Sequence, residues 1–273
     1  MVEPVFLLKN VSYAYPGNFP AITDLTLTIK KGERVAVIGA NGSGKSTLLS
    51  LLDALVFANS GSVTAFGREI DERQMNDARL QRWFRSRVGY VFQNPDIQLF
   101  CPTIREDILF GPLQLGVPVE EINERFENVM EIMKIRHLLD RSPHQLSIGE
   151  KKKAAIATVL IIEPEVLLLD EPTAGLDPQT TRDIIAVSYN AHKAGKTVVI
   201  ATHDLHIAEE IADIVHVFGT GRSIIRSGTP EEILTDHDFL AANNLIHVHV
   251  HRHFHTAHVH PHPHSPSHDH MKT

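Results

Sequence analysis

Val35-Ala36-Val37-Ile38-Gly39-Ala40-Asn41-Gly42-Ser43-Gly44-Lys45-Ser46 is the stretch that decides the fold. Its first four residues form a short apolar run, the pattern of a strand buried on both faces. Gly39 to Ser46 fits G-x-x-x-x-G-K-[ST] at every fixed position. Ser46 to Leu55 then has helical character. Strand, glycine-rich turn and helix, in that order, make a phosphate-binding loop. Glycines let the chain curl until successive N–H groups face a phosphate. The helix beginning near Lys45 adds the positive end of its dipole. Lys45 supplies a point charge for the β- and γ-phosphates, the Ser46 hydroxyl a ligand for Mg²⁺, and Thr47 a bond to a phosphate. Gly39, Asn41, Gly42, Ser43, Gly44, Lys45, Ser46 and Thr47 are therefore the candidate residues for holding ATP.

On the N-terminal side, Val5 to Tyr15 and Leu25 to Ile29 alternate apolar and polar residues, as half-buried strands do. On the C-terminal side, residues 60–70 read as a short strand region and 75–87 as a charged helix. Val88 to Phe92 reads as a strand ending at Gln93. From Thr103 to about Ala157 the pattern is mainly helical, with breaks expected at Pro112, Pro118 and Pro143. Val166 to Leu169 and Thr197 to Ala201 are further buried strands, Leu205 to Ala212 a helix, and Val215 to Phe218 a last strand. Strands alternating with helices argue for a parallel sheet covered on both faces. Val166 to Leu169 runs into Asp170-Glu171. An acidic residue at the end of a buried strand suits a second Mg²⁺ contact, here Asp170, and leaves Glu171 to polarise an attacking water as general base.

Composition narrows the class. The chain of 273 residues is 42% hydrophobic, enough for one large domain and an appendage. No apolar run approaches the roughly 20 residues of a membrane span, and Met1-Val2-Glu3-Pro4 lacks a secretory pattern. The single cysteine, Cys101, excludes an intramolecular disulfide. A net charge of −7 carries no footprint for nucleic acid. Lys151-Lys152-Lys153 is expected to be a solvated helix start rather than a nucleic-acid patch.

Together these motifs resemble the ABC-type ATPases. Leu146-Ser147-Ile148-Gly149-Glu150 stands 24 residues before Asp170, where that family carries its signature motif. Gln93 looks like the Q-loop residue, Ala174-Gly175-Leu176-Asp177 like the D-loop, and His203 like the switch histidine. Tyr15, with Tyr13 as second choice, looks like the aromatic that stacks on adenine. The resemblance covers roughly residues 5–235. It implies a P-loop NTPase (RecA-like) α/β core with a mainly parallel sheet, an N-terminal antiparallel β subdomain and a helical signature subdomain at about 95–155. It also implies a head-to-tail dimer, whose simplest closure is a C₂ homodimer, with ATP between one P-loop and the partner's signature, so that Ser147 and the Gly149 N–H meet the γ-phosphate in trans. His203 would bond that phosphate and hold the water against Glu171, Gln93 would reach Mg²⁺ and the water, and Asp177 would shape the dimer seam. Ile148 departs from the family, which usually has glycine there; a β-branched residue does not readily take positive φ, so ordinary backbone is expected.

Gln93 to Phe100 and Glu106 to Pro112 resemble the energy-coupling-factor subgroup, whose importers take up vitamins and transition-metal ions. That resemblance implies an integral membrane coupling subunit and a substrate-binding membrane subunit, with the chain peripheral on the cytoplasmic face. Leu99, Phe100 and Pro102 are expected to line a groove for a coupling helix. Beyond a connector at 236–246, residues 247–273 are rich in histidine and expected to be disordered. His247, His249, His251, His253 and His255 alternate strictly. In an extended chain they project to one side at intervals of about 7 Å, and neutral imidazole suits Ni²⁺, Zn²⁺, Cu²⁺ and Co²⁺ alike. Import of nickel or cobalt is thus the leading expectation. A vitamin importer, a soluble ABC ATPase outside transport and a metal-storage protein stay open beside it.

Overall fold

The computed structural model describes residues 4–253 and 256–263. Strands β1 (Pro4–Tyr15) and β2 (Phe19–Lys30) form an antiparallel hairpin. Alternation buries Phe6 and Leu8 against Leu25, Leu27 and Ile29. An irregularity between Leu8 and Val11, where Asn10 takes φ 50°, shifts the phase so that Val11 also faces inward. Gly61 is required opposite it, since a Cβ there would lie 2.4 Å from the Lys9 and Asn10 carbonyl oxygens. β4 (Ser60–Ala65) and β5 (Arg68–Glu69) complete a four-stranded antiparallel sheet ordered β2-β1-β4-β5.

The second sheet runs β10-β9-β3-β8-β7-β6. β3 (Arg34–Gly39), β6 (Val88–Val91), β7 (Val166–Asp170), β8 (Thr197–Thr202) and β9 (Ile214–Phe218) are parallel, and β10 (Ile224–Gly228) pairs antiparallel at the edge. Helices α1 (Lys45–Leu52), α2 (Ala78–Arg85), α3 (Ile104–Leu115), α4 (Val119–Met133), α5 (Ile148–Leu160), α6 (Pro178–Lys193), α7 (Leu205–Ile211), α8 (Pro230–Leu234) and α9 (His237–Ala242) surround it.

Alternation along each strand explains how one sheet serves three apolar cores. Val35, Val37, Leu168 and Val199 join α1 and the antiparallel sheet. Leu167, Leu169, Val198 and Ile200 join residues of α3 to α6. Ala36, Ile38, Val215 and Val217 join α7 to α9. Each fully buried aliphatic chain contributes about 1.5–3 kcal/mol. The register sets Ile38 beside Thr202 and Asp170 beside Ala201, so the ends of β3, β7 and β8 open onto one edge. No helix among the described residues is long and apolar enough to cross a membrane.

Two expectations differ from the structure. Pro112 does not break its helix but lies inside α3, where the Ile108 carbonyl loses its usual N–H donor; Gly116, at φ 73°, closes the helix. In the tail, β11 (Ile246–His253) pairs antiparallel with β12 (Thr256–Pro263), where disorder was expected. His247, His249 and His251 stand opposite His262, His260 and His258 in that register. The intervening Val248, Val250 and Val259 favour extended backbone. His255 lies outside the described residues.

Candidate nucleotide site

β3 ends at Gly39 and α1 begins at Lys45, with Gly42 (φ 78°) and Gly44 (φ 119°) turning the loop between them. A Cβ on Gly44 would sit 2.5 Å from the Ala21 carbonyl oxygen, so both its backbone angle and its surroundings demand glycine. The Lys45 ammonium is buried and donates to the carbonyl oxygens of Gly39 (2.8 Å) and Ala40 (3.2 Å). Burial pulls its pKa below the usual lysine value, and the nearby Glu171 and Asp170 carboxylates partly restore it.

Nine of the expected residues line one cavity of about 390 Å³: Tyr15, Asn41, Gly42, Gly44, Lys45, Ser46, Thr47, Gln93 and Glu171. Glu171 is buried at the end of β7 in the left-handed region, φ 42°. Its Oε1 lies 3.9 Å from Lys45 Nζ and 2.9 Å from His203 Nδ1, and its Oε2 accepts from Thr202 Oγ1 at 3.3 Å. Asp170 stands beside it, with Tyr90 Oη donating to Oδ2 at 3.2 Å. Burial raises the Asp170 pKa, and hydrogen bonds from Ser46 and Tyr90 oppose the rise. The other Asp170 oxygen, Oδ1, is buried with no protein partner, as is Ser43 Oγ. A carboxylate oxygen left over beside the Ser46 hydroxyl, next to a buried ammonium, is a donor set that fits Mg²⁺ with a phosphate chain.

Tyr15 rather than Tyr13 reaches the cavity. Its hydroxyl is 3.1 Å from Thr47 Oγ1, and Tyr13 packs behind it edge-on at 5.0 Å. Phe19 and Arg222 also line the cavity and were not expected. Phe19 pairs with Tyr15 across the β1–β2 turn, and the Arg222 carbonyl accepts from Thr23 N. Neither belongs to a local motif, so only the hairpin pairing of Phe19 offered any signal.

Ser147 and Gly149 do not line this cavity. Ser147 is the N-cap of α5: its hydroxyl donates to Glu150 Oε2 at 2.8 Å, and Glu150 N points back to Ser147 Oγ at 3.4 Å. The Ser147 backbone N–H, which donates to Glu150 Oε2 at 2.8 Å, and then the Ser147 hydroxyl hold the Glu150 carboxyl below the usual range. Ile148 is the first residue of α5, has no positive φ and is 59% exposed, so its backbone is ordinary there. Asp177 caps α6, accepting from Gln179 N, Thr180 N and Thr180 Oγ1.

The lysine run is not solvated as expected. Lys151 reaches Asp96 at 2.6 Å and Lys153 reaches Asp183 on α6 at 2.5 Å. Lys152 is 1% exposed and donates to the carbonyl oxygens of Phe92 and Gln93. Of the three groove residues, Phe100 lines a cleft of about 500 Å³ between α2 and α3, whereas Leu99 belongs to the core and Pro102 is exposed away from that lining. Among the described residues, no group of three or more His, Cys, Asp or Glu side chains is placed to hold a metal ion.

The family profile described as ABC transporter matches residues 22–174. The chain belongs to this ABC transporter family. The nickel import ATP-binding protein NikO of Rhodobacter capsulatus is 47% identical over 236 residues, covering 85% of this chain and 92% of that protein. The energy-coupling factor transporter ATP-binding protein EcfA of Methanothermobacter thermautotrophicus is 42% identical over 238 residues, covering 87% and 75%. Among solved structures, cbiO1 from Clostridium perfringens, part of the ABC transporter complex cbiONQ, superposes with a TM-score of 0.74 at 36% identity, covering 89% of this chain and 95% of that one. ABC transporter ATP-binding subunits use ATP and Mg²⁺, hydrolyse ATP to power transport, and act as dimers with membrane subunits. The α/β P-loop fold expected for this ABC ATPase is the one observed.

Proposed function

We propose that this ABC ATPase powers import of nickel or cobalt through a separate membrane subunit, working as a homodimer on the cytoplasmic face of the membrane. The convergence of Lys45, Ser46, Gln93 and Glu171 on one cavity carries the catalytic half of this reading. Lys45 turns from the Gly39 and Ala40 carbonyls to the β- and γ-phosphates, and Tyr15 offers its ring to adenine. Ser46, Asp170 and Gln93 are the residues to hold Mg²⁺, which when bound neutralises phosphate charge. Glu171 takes a proton from the attacking water. His203, whose Nδ1 lies 2.9 Å from Glu171 Oε1, offers Nε2 to the γ-phosphate. Ser147 and Gly149, outside their own chain's cavity, act on the partner's nucleotide. We assign residues 1–235 to the ATP-binding domain and about 95–155 to its helical subdomain; the stretch 236–246, expected as a connector, packs α9 and Leu245 into the third core of that domain.

The cargo rests on the likeness to a nickel import subunit and on the alternating histidines from His247 to His255. The likeness to EcfA supports a vitamin importer as second reading. Cells carrying this subunit with its membrane partner should accumulate Ni²⁺ or Co²⁺; accumulation of a vitamin and neither metal would overturn the cargo. Deleting residues 247–273 should abolish Ni²⁺ and Co²⁺ binding in calorimetry while basal ATP turnover survives. Unchanged metal binding after the deletion would remove the tail from the account.

A further inference from the structure

Lys152 is an expensive residue to bury. It is 1% exposed, and among the described residues no carboxylate lies within ion-pair distance of it. Two consecutive carbonyl oxygens hold the ammonium instead, Phe92 O at 3.1 Å and Gln93 O at 2.5 Å. An apolar chain of similar length would fill the same space without the desolvation penalty. The two carbonyls belong to the turn by which β6 hands over to Gln93. Gln98 holds the same turn from the other side. Its Oε1 accepts from Phe92 N at 3.1 Å, and its Nε2 donates to Ala155 O and Thr158 Oγ1 of α5, each at 2.9 Å. Both polar groups of the Phe92 backbone are thus tied to α5, as is the Gln93 carbonyl.

Fixing two successive carbonyls fixes two peptide planes, and with them the direction in which the Gln93 side chain leaves the backbone. Gln93 is itself exposed and has the cavity on one side of it. Lys152 lies five positions after Ser147 on the same helix, about 7.5 Å along its axis. A displacement of α5 that moves Ser147 therefore moves the anchor of Gln93 as well.

We propose that Lys152 is a positioning residue that aims Gln93 into the nucleotide cavity and ties that aim to the placement of the Ser147 end of α5. The inference rests on the role given above to Gln93. Phosphate binding stays with the P-loop, so the loss falls on turnover and not on ATP affinity.

Steady-state ATP turnover of the full chain tests it in a double-mutant cycle of Lys152→Met and Gln93→Ala. Lys152→Met should lower kcat about tenfold with less than about a twofold change in KM, and Lys152→Arg, which keeps the donors, should recover most of that loss. In the Gln93→Ala background the same change should cost less than about twofold further. Equal losses in both backgrounds, or a wild-type kcat for Lys152→Met, would overturn the role of Lys152. A Gln93→Ala parent with wild-type turnover would instead overturn the role of Gln93. If Lys152→Met does not accumulate as folded protein, Gln98→Leu, which frees Phe92 N–H from α5, is read in the same two backgrounds against the same expectations.

Discussion

Glu171 holds a backbone angle, φ 42°, that a residue with a side chain adopts only under constraint, at a cost of about 1–3 kcal/mol. The constraint is local. Its N–H donates to Ala201 O at 2.9 Å, and its carbonyl accepts from Ala174 N at 3.3 Å. The turn aims the carboxylate at Lys45 and His203 instead of letting it continue the alternation of β7. Tyr15 shows the same economy at the rim, where one hydroxyl bond to Thr47 orients a half-exposed ring. A ring stacked on a base is worth about 1–3 kcal/mol, so Tyr15→Ala should raise the Kd for ATP by roughly tenfold, and Tyr15→Phe by much less. Equal affinities for Tyr15→Ala and wild type in a fluorescent-nucleotide titration would move the adenine elsewhere, with Phe19 the next platform to test. The P-loop was legible because its whole chemistry lies within eight consecutive residues, Gly39 to Ser46. Phe19 and Arg222 were not, because they reach the cavity from hairpin turns separated by some two hundred residues of chain.

At the scale of elements, two helix starts carry residues with a plain structural job. Asp177 accepts three hydrogen bonds at the head of α6, which also hold its carboxyl below the usual range. Asp177→Ala should therefore lower the urea-unfolding midpoint of the isolated chain. An unchanged midpoint would mean that the cap contributes nothing and that Asp177 serves only a contact between chains. Ser147 and Glu150 form the matching box on α5. The strands and most helices were readable from period alone, since a run such as Val166 to Leu169 has few alternatives. The lysine run was not. Neighbours on a helix point about 100° apart, so Lys151, Lys152 and Lys153 face three different directions. Where each goes depends on Asp96, the Phe92–Gln93 turn and Asp183, which are distant in sequence.

Across the molecule, the parallel sheet both divides the cores and brings the active edges of β3, β7 and β8 together. Its outer part carries a pH dependence. His216 on β9 is buried, its Nδ1 is 2.7 Å from Ser227 Oγ on β10, and burial pushes its pKa down from 6.5 to about 4. The unfolded chain therefore binds more protons between those values, and stability from this group falls as pH drops through the window. Asp53 acts in the opposite sense. Burial raises it to about 7 against the pull of Arg85, so its protonation favours the fold as pH falls. Comparison with His216→Gln isolates the histidine. Between pH 6.5 and 4 the wild-type chain should lose up to about 3 kcal/mol more than the variant. Parallel urea midpoints for the two chains across that window would contradict the assignment.

As proposed above, two copies close around ATP and Glu171 then drives hydrolysis. This is tested most directly with Glu171→Gln. Incubated with Mg²⁺ and ATP, the variant should bind nucleotide as tightly as wild type, accumulate as an ATP-bound dimer in light scattering, and turn over at least about a hundredfold more slowly. A variant that stays monomeric with ATP bound and hydrolyses it at the wild-type rate would contradict the account.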